Sequence, residues 1–137
     1  MNSSTKQLVC LFVLLILLGT SCDAGLLRHK QYVEIKNLLP GEATLTIHCK
    51  SKDDDLGSHV LGPLGTFSFH FRPRFIGLTL FFCSFQWKNS PLYYYDIYKQ
   101  SRDYDRCTDC LWGIQPNGPC LLNDTTHAYT ICDQWNP

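Results

Sequence analysis

Apolar and polar residues alternate with a period of two at several places along the chain. Val33-Glu34-Ile35-Lys36, Leu45-Thr46-Ile47-His48-Cys49 and Phe67-Ser68-Phe69-His70-Phe71-Arg72 each show it. Successive side chains of a strand point to opposite faces, so this period predicts strands with one buried and one wet face. On that phase His48 and His70 face water. Leu78–Trp87 is apolar on both faces in its first half, which predicts a central strand. Tyrosine-rich Leu92–Tyr98, then Cys110–Gln115 and His127–Cys132, complete the set and are rich in residues that suit a pleated surface. Helical periodicity is nearly absent after residue 25.

The separators agree with strands. Leu39-Pro40-Gly41-Glu42 places proline where φ is preset and glycine where φ must be positive, which predicts a type II turn. Gly62-Pro63-Leu64-Gly65 and Asn89-Ser90-Pro91 interrupt the chain between later strands. Pro116-Asn117-Gly118 predicts a tight turn closing into a glycine bulge. Short strands at this spacing predict an all-β fold. Its form is a small antiparallel β-sandwich of about seven to nine strands, whose two sheets bury each other's phenylalanine and leucine faces.

The first residues read differently. A lone Lys6 precedes an unbroken apolar run, Leu8–Leu18, followed by the small-residue stretch Gly19–Ala24. This is the layout of a secretory signal peptide, and the run is shorter than the about 20 residues a membrane-spanning helix needs. Residues 1–24 are therefore read as a cleaved leader, and residues 25–137 as one secreted, extracellular domain with no membrane insertion. Cleavage removes Cys10 and Cys22 and leaves Cys49, Cys83, Cys107, Cys110, Cys120 and Cys132. In an oxidising route an even set predicts a disulfide framework, with the pairing left open. Loss of Lys6 and Asp23 leaves the net charge at zero, so nothing suggests a nucleic-acid binder.

Candidate chemistry is sparse. Cys107-Thr108-Asp109-Cys110 has redox spacing, but no helix pattern follows it and Cys120 and Cys132 are single, so a structural disulfide is favoured over redox chemistry or zinc. Asp53-Asp54-Asp55 does not continue as a calcium loop, since Gly57 and Leu64 stand where ligands are needed. No Gly-x-Ser-x-Gly elbow occurs, and no carboxylate pair is placed on a shared face. The chain is read as having no catalytic residue, no metal and no cofactor. Asn123-Asp124-Thr125 is an N-glycosylation sequon; Asn2-Ser3-Ser4 has the same form but leaves with the leader. Two segments, Lys50–Gly57 and Lys99–Arg106, read as long charged loops. Their residues Lys52, Asp53, Asp54, Asp55, Arg102 and Asp103 are the candidates for contact with a partner, because loops on a rigid scaffold commonly carry recognition.

The ordered set His48–Gly57, Phe69-x-Phe71-Arg72-Pro73, Phe81–Trp87, Asp96-x-Tyr98, Arg102-Asp103, Cys110-Leu111-Trp112, Gly118-Pro119-Cys120 and Cys132-x-x-Trp135 resembles the plant self-incompatibility S-protein homologue family. The likeness runs from about Val33 to Trp135. It implies a small secreted disulfide-held sandwich without known enzymatic activity. It also implies an extracellular signalling ligand recognised by a membrane receptor at a cell surface, as in poppy-type pollen rejection. Two other classes compete. A carbohydrate-binding or inhibitor module would use Tyr93–Tyr95 as an aromatic platform, and a secreted hydrolase would show activity in glycan, ester or peptide assays.

Overall fold

Among the described residues, nine strands stack as two sheets around one apolar layer. The computed structural model describes residues 3–26, 29–74 and 78–137. Asn2, the head of the sequon Asn2-Ser3-Ser4, lies outside them. Ser3–Leu26 forms helix α1, and among the described residues no helix is long and apolar enough to cross a membrane. The strands are β1 (Gln31–Asn37), β2 (Leu45–Lys50), β3 (Asp55–Leu61), β4 (Thr66–Phe71), β5 (Leu80–Gln86), β6 (Tyr93–Lys99), β7 (Asp109–Gln115), β8 (Gly118–Asn123) and β9 (Ala128–Cys132). A single short helix, α2 (Gln100–Asp103), interrupts the region read as the second charged loop.

The alternation works as expected in β1, where Gln31, Val33, Ile35 and Asn37 point inward. Ile47, Phe85, Ile97, Trp112 and Ile114 meet Val33 and Ile35 in a layer from which water is excluded. Sheet A runs β4-β1-β7-β8-β9 and sheet B runs β3-β2-β5-β6. All ladders are antiparallel except one. β1 and β7 lie parallel, with Tyr32 beside Asp109 and Asn37 beside Ile114. Asn37 is buried and ties three segments: its amide nitrogen donates to the carbonyls of Ala43, Leu61 and Gly62.

Four details depart from the sequence reading. β3 begins at Asp55, so the segment read as a loop over Lys50–Gly57 is a short connection over residues 51–54. β8 is a full strand that no alternation marks, and it begins at Gly118, the last residue of the expected turn Pro116-Asn117-Gly118. Gly41 has the positive φ expected of the turn, 67°, but Glu42 follows it at 57°. β5 is central, flanked by β2 and β6, yet Leu80 and Phe82 face outward and stay more than a third exposed.

All six cysteines of the domain are paired. Cys49–Cys83 joins the neighbouring strands β2 and β5, Cys120–Cys132 joins β8 and β9, and Cys107–Cys110 closes the turn into β7. The C-terminal segment straps the far edge of sheet B. Asn136 donates its backbone N–H to the Tyr94 carbonyl at 2.8 Å, and Trp135 stacks on Tyr93 at 4.8 Å.

Candidate recognition site

The connection over residues 51–54 is tight. The Ser51 N–H donates to the Asp54 carbonyl at 2.7 Å, and the Ser51 hydroxyl accepts the Asp54 N–H at 3.1 Å. Of the three consecutive aspartates, two are engaged. Asp53 forms an ion pair with Arg74. Asp55 sits on β3 opposite Lys50, accepts the Gly57 N–H at 2.9 Å, and lies 2.6 Å from His48 Nε2. The Gly57 N–H, then the His48 contact, hold the Asp55 carboxyl below its usual value. Asp54 and Lys52 remain exposed without an internal charge partner among the described residues.

This connection forms one wall of an open groove of about 380 Å³. Arg72 and Arg74, beyond the end of β4, form the other wall. Between them lie Leu78, Leu80 and Phe82, exposed by 69%, 38% and 39%. The far end is pinned by Gln100, a buried amide on α2. It donates to the Arg74 carbonyl at 3.0 Å and accepts the Thr79 N–H at 2.8 Å. The Arg74 N–H in turn donates to the Thr79 hydroxyl at 2.9 Å. Lys52, Asp53 and Asp54 are thus brought together at the groove, while Asp55 stands on the adjacent strand. The three exposed apolar side chains were not recognised from the sequence. Their signal was there, an apolar run on both phases of β5, but it suggested a strand covered on both faces.

Arg102 and Asp103 do not belong to this surface. Asp103 is fully buried, and its carboxylate accepts the Lys99 N–H at 2.8 Å and the Arg102 Nε and Nη2 at 2.8 and 2.7 Å. Arg102 Nη2 also donates to the Asp96 carbonyl at 2.7 Å, and its guanidinium lies 5.1 Å from the Tyr95 ring and 5.4 Å from the Trp112 ring. Burial works against the Arg102 charge, but the Asp103 carboxylate outweighs it and raises the guanidinium pKa. The pair anchors the chain between β6 and β7, so the reading of Asp103 as a partner contact is corrected: a carboxylate withdrawn from solvent offers nothing to a second protein.

The three tyrosines likewise separate. Strand alternation turns Tyr93 and Tyr95 inward and Tyr94 outward, so Tyr93–Tyr95 form no continuous platform. Tyr93 joins Trp87 and Trp135, and Tyr95 packs edge-on against Trp112 and donates its hydroxyl to Asp133. Burial, with Asp133, pushes the Tyr95 phenol far up. Of the polar-phase histidines, His70 is exposed and His48 is half-buried beside Asp55. Asn123 ends β8 in the hairpin turn to β9. Among the described residues, no group of His, Cys, Asp and Glu side chains is placed to hold a metal ion.

Comparison with known proteins places this geometry. Residues 32–135 match the family described as plant self-incompatibility protein S1. The chain is 40% identical to S-protein homolog 2 of Arabidopsis thaliana over 154 residues, covering 96% of this chain and 95% of that one. It is 47% identical to S-protein homolog 5 of the same plant over 97 residues, 71% of this chain and 74% of that one. A solved structure described as representing SPH (self-incompatibility protein homologue) proteins, "a widespread family of small, highly stable, secreted proteins from plants", superposes with a TM-score of 0.58. It is 16% identical and covers 81% of this chain and 97% of its own, which establishes the shared fold. With the family match spanning the whole sandwich, the chain belongs to the plant self-incompatibility S1 family, the secreted S-protein homologues.

Proposed function

We propose that this protein is an extracellular recognition ligand that engages a cell-surface membrane protein through the groove lined by residues 51–54, Arg72, Arg74 and residues 78–82. The observation that carries this reading is the exposed trio Leu78, Leu80 and Phe82 beside Lys52 and Asp54. An apolar centre rimmed by charges is how protein interfaces are commonly built. The charged rim gives specificity and speeds encounter, while the apolar floor supplies most of the affinity. Membership in a self-incompatibility family supports a signalling role of this kind, with pollen rejection as its best-known form. Separation of the three tyrosines removes the feature that favoured glycan binding.

Two variants of the full secreted chain test this against plant-cell surfaces. Asp54→Lys changes an exposed position and is expected to move thermal stability by no more than about 0.5 kcal/mol, while Phe82→Asp, which gives up a ring about three-fifths covered, is expected to cost about 1–2 kcal/mol and leave the protein folded. Phe82→Asp is expected to weaken cell binding at least tenfold, and Asp54→Lys to slow association and alter its salt dependence. Binding unchanged in both variants would overturn the groove as the recognition surface. Saturable binding to cell-wall glycans that both variants retain would favour the carbohydrate-binding alternative.

A further inference from the structure

We infer that Asn123 carries an N-linked oligosaccharide and that this sugar shields the open edge of β9. The sequon Asn123-Asp124-Thr125 falls in the turn between β8 and β9, with Asp124 and Thr125 exposed. The Asn123 side-chain oxygen accepts the N–H groups of Thr125 at 2.8 Å and Thr126 at 3.2 Å. The His127 N–H closes the turn on the Asn123 carbonyl at 2.8 Å. Asn123 Nδ2 has no partner among the described residues, so a sugar attached there breaks no internal bond.

The attachment transfers the oligosaccharide from a lipid pyrophosphate donor of the secretory route. A bond forms between Asn123 Nδ2 and the anomeric carbon, the bond from that carbon to the pyrophosphate breaks, Nδ2 loses a proton, and the lipid pyrophosphate leaves. The position has a structural use. β9 is the last strand of sheet A, and among the described residues its outer edge has no ladder partner, while Ile131 is 40% exposed. Open strand edges invite pairing with another chain, and proteins commonly cover or interrupt them. β6, at one edge of sheet B, is covered by the C-terminal segment; at β9 the sugar takes that part. It also leaves the groove free, because β4, whose Phe71 lines the groove, lies at the opposite edge of sheet A.

The full chain secreted from cultured plant cells provides the test. Mass spectrometry of the peptide containing Asn123, before and after peptide N-glycosidase treatment, is expected to show the sugar. Thr125→Ser, which keeps the sequon, must retain it. Thr125→Ala, which keeps the backbone N–H donated to Asn123, must lose it. An unmodified Asn123 in the unsubstituted secreted protein overturns the site. On size-exclusion chromatography at equal concentration, Thr125→Ala is expected to elute earlier, as a self-associated species, with unchanged melting. Monomeric elution of Thr125→Ala overturns the shielding role.

Discussion

Asp103→Ala removes one member of an ion pair that the fold has taken out of water. Three hydrogen bonds to the carboxylate are lost, from the Lys99 N–H and from Arg102 Nε and Nη2. The Arg102 guanidinium stays behind, held between the Tyr95 and Trp112 rings. Breaking a buried pair by removing one partner costs about 3–5 kcal/mol, because the remaining charge is uncompensated. Arg102 keeps 25% of its side chain accessible and retains the Asp96 carbonyl, which favours the lower end, about 3 kcal/mol. At about 4 °C per kcal/mol for a domain of this size, the Tm falls by roughly 12 °C. Thermal unfolding followed by circular dichroism reads this, with a urea titration to check that the slope is unchanged. The double variant Arg102→Met with Asp103→Leu exchanges the pair for apolar side chains and is expected to recover most of the loss. A single variant melting within about 0.5 kcal/mol of the unsubstituted protein would refute the argument, since that is the size of an ordinary surface change.

The disulfides are expected to rank by the length of chain each closes, and paired Cys→Ser variants unfolded in urea give the comparison. With separations of 34, 12 and 3 residues, losing Cys49–Cys83, Cys120–Cys132 or Cys107–Cys110 should cost about 4, 3 and 1.5 kcal/mol; an inverted order would show that native packing rather than chain restriction governs their effect. Asp55 should titrate below its ordinary pKa of 3.8. Its depressed value means that the link to Gly57 and His48 is intact above that pH and is lost as the pH falls through the folded-state value. Carboxyl carbon shifts in an NMR titration should place the midpoint under 3.8, with the Gly57 amide moving in step, and a midpoint at or above it would contradict the reading.

Much of this fold is legible in the chain because seven of its strands carry their burial as alternation or as dense aromatic and β-branched content. β3 escaped notice because Asp55-Leu56-Gly57-Ser58-His59-Val60-Leu61 has no clean period: an edge strand packed on one side by a single neighbour needs little apolar patterning. β8 escaped because Gly118-Pro119-Cys120-Leu121-Leu122-Asn123 shows no alternation and starts on Gly118, which belongs to the expected turn although it pairs with Gln115 at the hairpin end. The candidate site was legible in its charges and not in its apolar floor. Lys52, Asp53 and Asp54 announce an exposed connection, but the exposure of Leu80 and Phe82 depends on which elements the fold packs over sheet B, which no local pattern reveals. Asp103 misled for the opposite reason: a charge in a polar stretch looks solvated unless its partner, here the adjacent Arg102, is known to turn back onto it.

The parallel ladder between β1 and β7 bears on the order in which the molecule can assemble. β2 with β3, β5 with β6, β7 with β8 and β8 with β9 are neighbours in sequence as well as in space, so each pair can form from a short stretch of chain. β1 cannot finish in this way, since Tyr32 must find Asp109 after every strand of sheet B has been made. Closing so long a loop carries a larger entropic cost than closing a hairpin, and sandwiches dominated by such contacts fold slowly. During synthesis the first strand therefore waits, with one side offered to β4 and the other unpaired. No fragment ending before β7 contains the neighbour that completes the sheet around Val33 and Ile35.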